Sequence, residues 1–361
     1  VEENLSLQFI FFEEAQSILK ETFSIWSGGL SQFEYRHYIW RQLHHPWGKR
    51  HIRYVALKRN GKILSSCKLY DLTFASRGEL FRMNYIGAVF TAPALRGNGY
   101  GKAMLAKIIS YSEEAGFDGV YLFSDVGSDY YEDLGFEAFG NDDFLIELER
   151  QSDIDVFDGK AQSEPGIDIF KNDKIVGSVI NGSFQPGVKS DLITQMSRHH
   201  ERWLRQQPFG IKRGYDYLHF KLCKEYFLRE HSALSWPDKL FFVKQNELDT
   251  SAYAIAESAG ATLRILEVIG SIEDRKAIWR ALLSFARNNY LRRIRGWEAV
   301  VSDFAPSFSF GNLYPYEKQR FKGQILSYER SWGLPMFIPF NPKLDTWPNF
   351  FPCPFLELDH F

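Results

Sequence analysis

Six consecutive residues, Arg96-Gly97-Asn98-Gly99-Tyr100-Gly101, are the stretch best suited to chemistry, and that chemistry is holding a phosphate or diphosphate. An apolar run of strand length, Tyr85-Ile86-Gly87-Ala88-Val89-Phe90, precedes them. Residues 102–115 follow, with Met104, Leu105, Ile108, Ile109 and Ser112 at helical spacing. The glycines therefore open a helix, where main-chain N–H groups lack partners and the positive end of the helix dipole lies. They let those N–H groups converge on one anion with no side chain in the way. Two familiar phosphate loops do not fit. A dinucleotide-binding turn needs Gly-x-Gly-x-x-Gly directly after its strand, but Thr91-Ala92-Pro93-Ala94-Leu95 intervene and the glycines alternate. A triphosphate loop needs Lys and then Ser or Thr after its last glycine, and Lys102 is followed by Ala103.

The order strand, Thr-x-Pro-x-x-Arg-Gly-x-Gly-x-Gly, helix, strand (119–125), then Tyr130-Tyr131-Glu132-Asp133-Leu134-Gly135-Phe136, resembles the GNAT superfamily of acyl-CoA N-acyltransferases over roughly residues 50–150. The resemblance implies acetyl-CoA as acyl donor, no metal, and a primary amine that attacks the thioester directly. It implies that Arg96, Gly97, Asn98, Gly99, Tyr100, Gly101 and Lys102 hold the coenzyme diphosphate, chiefly through main-chain N–H groups. Val89, Phe90 and Thr91 would pair with the pantetheine arm as with an added strand, and Tyr131 would protonate the departing thiolate. A phenol of ordinary pKa near 10 suits a thiolate of pKa about 8.5 or higher. The plainer reading of Tyr131 is packing between helix and sheet.

The amine must lose a proton, which calls for a carboxylate or a water chain. Many relatives carry Glu on the strand equivalent to residues 83–90, and this sequence has none there. The nearest carboxylates are Asp71, Glu79, Asp125 and Asp129. Asp125, at a strand end, is the first candidate, and its plainer role is to cap the short helix carrying Tyr131. The enhanced-intracellular-survival acetyltransferases, also multidomain, bring a C-terminal carboxylate into the site. By that comparison the terminus at Phe361 is a second candidate.

Composition sets the bounds. The chain has 361 residues, natural for two domains, and its 45% hydrophobic share supplies real cores. A net charge of −2 with mixed signs points to neither nucleic acid nor a membrane surface. Cys67, Cys223 and Cys353 fit no disulfide or zinc spacing, which favours a reducing, cytoplasmic setting. No apolar run reaches the roughly 18 residues of a membrane span, and no signal-peptide pattern is present.

The elements that must position these residues read as an α+β domain over residues 1–150, with a largely antiparallel sheet. Residues 1–50 read as helical, with segments at 13–23 and 33–43 flanking Ser27-Gly28-Gly29. The aromatic residues Phe33, Tyr35, Tyr38 and Trp40 either line an acceptor pocket or pack on the sheet. His44-His45-Pro46-Trp47 suggests a metal only superficially: adjacent histidines diverge, no third ligand is in view, and none is expected. Residues 52–74 form a hairpin about Asn60-Gly61. A closing strand follows within 136–149, where Phe144, Ile146 and Leu148 alternate.

Residues 151–165 are acidic and aperiodic, a linker to a second domain at 166–361. There the pattern gives a hairpin (167–170 and 175–179), helices at 191–207 and 215–231, and strands at 240–244, 252–257 and 262–269. A helix at 272–289 and strands at 297–301 and 335–338 complete it. This repeats the order of the first half. Gly270-Ser271-Ile272-Glu273-Asp274 replaces the glycine loop, and its acidic pair would repel a diphosphate. The second domain thus reads as a degenerate GNAT-like unit without coenzyme binding, against the alternative of an unrelated α+β domain. With Ser124-Asp125-Val126-Gly127 and the tyrosine pair, this layout is similar to fungal lysine acetyltransferase proteins, which modify the side-chain amine of free lysine. That likeness implies a small cationic, lysine-like acceptor recognised by acidic residues. A small-molecule enzyme predicts a closed pocket with few carboxylates. A protein or peptide acetyltransferase predicts an open groove between domains. A non-catalytic acyl-CoA-binding module is the third alternative.

Overall fold

The computed structural model describes residues 5–140, 142–148, 166–176, 178–180, 183–185, 191–245, 250–301, 325–329 and 332–349. The linker at 151–165 and the Phe361 terminus lie outside the described residues. Strands β1 (Ser6–Ile10), β2 (Ile52–Arg59), β3 (Lys62–Ser76), β4 (Glu79–Thr91) and β5 (Gly119–Ser124) lie side by side in that order. Only β4 and β5 run parallel, as the intervening helix requires. The β2–β3 turn is Asn60-Gly61, with φ of 50° and 77°, the left-handed pair that a two-residue hairpin needs. The first fifty residues are not helical throughout: β1 pairs with β2, ahead of helices α1 (Phe12–Trp26), α2 (Gln32–His44) and α3 (Pro46–His51). A reciprocal capping box between Ser31 and Glu34 starts α2. Helix α4 (Tyr100–Glu114) packs Met104, Leu105 and Ile108 onto Val55, Leu57, Cys67 and Ile86 of one sheet face. Helices α1 and α2 cover Tyr54, Ala56 and Phe90 on the other.

The short helix α5 (Asp129–Glu132) and strand β6 (Glu137–Ala138) follow, and then the chain leaves the first sheet. Strand β7 (Asp142–Glu147), read from its alternation as closing the first sheet, lies instead in the second. The second half comprises β8 (Ile167–Lys171), α6 (Asn172–Val176), β9 (Ser178–Ile180), β10 (Ser183–Gln185), α7 (Asp191–Leu204), β11 (Gly210–Ile211) and α8 (Tyr215–His231). Next come β12 (Lys239–Gln245), β13 (Thr250–Ala259), β14 (Thr262–Gly270), α9 (Ile272–Asn288), β15 (Arg293–Trp297), β16 (Ile325–Glu329) and β17 (Leu334–Pro339). The expected hairpin at 167–179 is not one: a helix occupies Asn172–Val176, and β8 pairs with β12. The strand expected at 297–301 is β15, ending at Trp297 before a 3₁₀ turn.

The second sheet has the order β16-β7-β15-β14-β13-β12-β8, and β17 returns to the first sheet between β5 and β6. Each sheet therefore takes a strand from the other half of the chain. The antiparallel β12-β13-β14, the helix α9 and the parallel β15 repeat the plan of β2-β3-β4, α4 and β5. One buried cluster joins the sheets, with Tyr85, Tyr121 and Phe123 from the first and Phe144, Ile265 and Trp297 from the second.

Candidate active site

The site begins where two strands part. Parallel pairing of β4 with β5 ends at Ile86–Leu122. Just beyond, β4 bulges: Ser66 pairs with Phe90 and Lys68 with Gly87, so Ala88 and Val89 stand against the single residue Cys67. Ala88 takes a φ of 53° to make this turn. A bulge bends its strand and breaks the ladder, and here it swings the 88–91 edge away from β5. A cavity of about 890 Å³ occupies the gap. Val89, Phe90, Thr91, Arg96, Gly97, Gly99, Tyr100, Gly101, Lys102, Asp125 and Tyr131 all line it. Asn98 does not.

At one end of the cavity, Gly99 caps α4 in the left-handed conformation with a φ of 75°, and Gly97 has a φ of 77°. No side chain caps the helix, so its first-turn N–H groups have no intrahelical acceptor. Asn98 instead braces the loop from within, its Nδ2 donating to the carbonyls of Leu95 and Arg96 at 3.1 Å each. Arg96 Nε donates to the Thr91 carbonyl at 3.1 Å, which ties the loop to the end of β4. Gly101 is needed for space, because a Cβ there would stand 2.6 Å from the Tyr130 hydroxyl. Lys102 pairs with Asp133 at 2.5 Å, its Nζ 5.6 Å from the centre of the Tyr130 ring. The result is a ring of donors with two cations, Arg96 and Lys102, beside it.

Midway along the cavity, Tyr131 is 8% exposed. Burial, helped by the Tyr130 phenol, Asp125 and Cys67, pushes its pKa up to about 12, so the ring keeps its proton across the physiological range. Asp125 is exposed and accepts a hydrogen bond from Gly333 N at 3.0 Å. It does not cap α5, whose N-cap is Ser128. Of the other carboxylates weighed from sequence, Asp71 is engaged by Arg82 and Glu79 by Lys343, and neither lines the cavity. Asp125 is the one carboxylate among the lining residues described.

Of the four aromatic residues weighed for an acceptor pocket, Tyr35 and Tyr38 line the far end of the cavity and Phe33 and Trp40 do not; the rest of that end was not read from the sequence. Tyr35, Tyr38 and Gln42 of α2, Tyr54 of β2, Lys68 and Tyr70 of β3, Tyr85 of β4 and Lys224 of α8 form it. Burial, and then the neighbouring Lys224 charge, pushes the pKa of Lys68 down to about 7. Burial likewise lowers that of Lys224. One local signal existed. Lys68 interrupts a strand whose every neighbour from Leu64 to Tyr70 is buried, and Lys224 lies one turn from Phe220 and Leu228 on the packed face of α8.

The histidine pair behaves differently from expectation in one respect. His44 and His45 do diverge: His44 stacks on Trp40, and His45 turns to α8. There His219 and Cys223 supply the partners that the sequence did not reveal, with ligand atoms all within 4.8 Å of one another. Trp47 N donates to His45 Nδ1 at 3.1 Å, so neutral His45 carries its proton on Nε2 and donates to His219 Nδ1 at 2.9 Å. A metal ligated through His45 Nε2 would have to displace that bond.

Among the described residues no helix is long and apolar enough to cross a membrane. Residues 15–139 match the family model described as an acetyltransferase (GNAT) domain. No curated protein matches the chain in sequence. Among solved structures, a probable N-acyltransferase from Enterococcus faecalis V583 aligns with a TM-score of 0.60 at 14% identity, over 94% of this chain and 73% of that one. A GCN5-related N-acetyltransferase from Anabaena variabilis gives 0.60 at 12% identity, over 92% and 72%. Another, from Kribbella flavida, gives 0.57 at 13%, over 94% and 72%. These likenesses extend across both sheets and concern the fold. The bulged strand, the glycine loop and the match over residues 15–139 agree on a GNAT-type acetyltransferase domain in the N-terminal half, and the solved structures show that the fold is shared across both sheets.

Proposed function

We propose that the protein transfers the acetyl group of acetyl-CoA to a primary amine on a small molecule. The observation that carries this reading is the single cavity joining three environments. The glycine loop at the mouth of α4 suits the coenzyme diphosphate. The unpaired edge of β4 at 88–91 suits the pantetheine amides, which would add to it as a strand does. Beyond the bulge, the tyrosine-walled end suits an acceptor held against the thioester carbonyl. Attack by a neutral amine forms the new C–N bond and a tetrahedral intermediate. Its collapse breaks the C–S bond, and Tyr131 gives its proton to the leaving sulfur. Asp125, alone or through a water, takes the proton from the amine.

A small acceptor fits better than a polypeptide. Helices α1, α2 and α8 wall the far end with side chains, and few carboxylates are present to steer a basic peptide. The test is release of coenzyme A thiol from acetyl-CoA over a panel of free amines, with lysine-containing peptides alongside. Turnover of free amines supports the reading. Turnover of peptides alone reverses it. Failure of the protein to bind acetyl-CoA in calorimetry removes its basis.

A further inference from the structure

Given the N-acetyltransferase reading above, the charge at the far end of the cavity speaks to the acceptor. Lys68 is 7% exposed, and its Nζ donates only to Gln42 Oε1, at 3.2 Å, and lies 5.5 Å from the centre of the Tyr54 ring. Lys224 lines the same end, close enough for its charge to act on Lys68. Among the described residues neither ammonium has a carboxylate in ion-pair contact. Glu225, whose charge reaches Lys224, is held by Lys239 at 3.2 Å. Asp125, also in the lining, accepts from Gly333 N. A buried ammonium beside a second cation, with no carboxylate in contact with it, is costly, and a ligand that brings one recovers the loss on binding.

We propose that Lys68 and Lys224 form an anion-recognising subsite, and that the acceptor is an amine that also bears a carboxylate. The register supports the geometry. Lys68 pairs with Gly87, the residue before the bulge. A carboxylate on Lys68 therefore sets an amine a few bonds away at the point where the β4 edge opens toward the coenzyme. The tyrosine hydroxyls around it offer further donors. Polyamines and simple alkylamines would bring a third cation, or no anion, to this end. The lysine-like acceptor suggested by family likeness is compatible only through its carboxylate, because the lining carries no cluster of acids for its cation.

The test uses the full-length protein saturated with acetyl-CoA and acceptor pairs that differ only in the acid group: lysine and cadaverine, ornithine and putrescine, β-alanine and ethylamine. The expected result is a kcat/KM at least tenfold higher for the acid-bearing member of the preferred pair. Lys68→Met and Lys224→Met should each pull that ratio toward one, chiefly by raising KM for the acid, with thermal unfolding confirming that the fold is kept. Equal or better turnover of the decarboxylated members overturns the subsite while leaving the acetyltransferase reading intact. So does a Lys68→Met variant that loses kcat equally for both members, since Lys68 would then be accepting the proton of the amine. Absence of acetyl-CoA binding overturns both the subsite and the reading it rests on.

Discussion

Replacing Tyr131 with Phe removes one oxygen from the centre of the cavity and leaves the ring packing against Phe136 and Tyr130 in place. The size of the loss can be worked out from the setting of that oxygen. With its pKa pushed up to about 12, full transfer to a thiolate of pKa about 8.5 runs uphill by about 5 kcal/mol. The phenol is therefore most useful while negative charge is still growing on sulfur, as a hydrogen bond that becomes a proton transfer. A hydrogen bond to a charged partner is worth about 1.5–3 kcal/mol, or roughly 10- to 10²-fold in rate. Positioned general acids contribute about 10²- to 10⁴-fold. The two ranges meet near 10², and that is the expected fall in kcat for Tyr131→Phe at saturating acetyl-CoA and amine. Thiol release followed by a chromogenic disulfide is a sufficient assay, and coenzyme affinity should hold within about threefold, far inside the 1.4 kcal/mol of a tenfold change. A thioester whose thiol is more acidic should recover the variant more than the parent, because its leaving group needs less help. A kcat within twofold of the parent, or a loss confined to the KM for acetyl-CoA, would refute the assignment.

Three further predictions test separate parts of the molecule. Gly99→Ala meets open space but must hold a φ of 75°, a strain of about 1–2 kcal/mol, and it puts a methyl into the donor ring. The expected result is at least tenfold weaker acetyl-CoA binding in calorimetry, whereas Gly116→Ala, at a φ of 73° in open space beyond α4, carries the same strain without that loss. Equal effects at both positions would show that the ring does not hold the coenzyme. The folded pKa of Lys68 lies below its unfolded value, so between pH about 7 and about 10.5 the unfolded chain holds more protons and stability rises with pH. Thermal denaturation without ligand should show that rise in the parent, flattened in Lys68→Met, whose neutral side chain also raises stability below pH 7. An identical pH slope in both proteins would place the charge of Lys68 in water. Finally, Arg213 and Glu267 form an ion pair whose two side chains are wholly buried. Glu267→Ala should cost about 3–5 kcal/mol in urea unfolding, and a loss below about 1 kcal/mol would mean that solvent reaches the pair.

Sequence alone resolved what is local. The glycine loop, the helix after it and the turn at Asn60-Gly61 each have a signature within a few residues, since backbone conformation and capping are decided there. The far end of the cavity had only a weaker one, a lysine set within a strand of small and apolar residues. It assembles Tyr38, Tyr54, Lys68 and Lys224 from elements far apart in the chain, and burial of each lysine depends on its partners. Alternation placed a strand within 136–149 and the order of the second half placed another at 335–338, but a period of two says which faces a strand presents and not which sheet accepts it. Asn172-Asp173 reads as a hairpin turn and proves to be the first turn of a helix, held by Asn172 Nδ2 on the Leu222 carbonyl of α8. That tertiary bond is invisible to local propensity. His45 was judged without α8 for the same reason.

The second half of the chain is best understood as part of the site. Its sheet repeats the splayed plan of the first: β14 pairs with β15 only from Thr262 to Ile265 and slips register at once, as β4 does beside β5. There the gap is not left open. Glu267, just past the slip, meets Arg213 from the segment between β11 and α8, both at zero side-chain exposure. Ser271 and Asp274 close the helix mouth where Gly99 and Gly101 leave the other open. One cleft is thus available to a ligand and its counterpart is filled. The filled half still shapes the open one. Strand β17 pairs with β5 from Leu334 to Pro339, Gly333 holds Asp125, and α8 brings Lys224 to the cavity and packs Phe227 and Leu228 against α1 and α2. The loop proposed to hold the coenzyme comes from the N-terminal half, while the lining of the far end of the cavity comes from both. Separating the halves would strip β17 from β5 and β7 from β15, and would open the shared core at Phe123 and Trp297, whose rings lie 5.7 Å apart. Exposing that much apolar surface and ladder in either half is unfavourable, so the two sheets fold and hold the acceptor end as one unit.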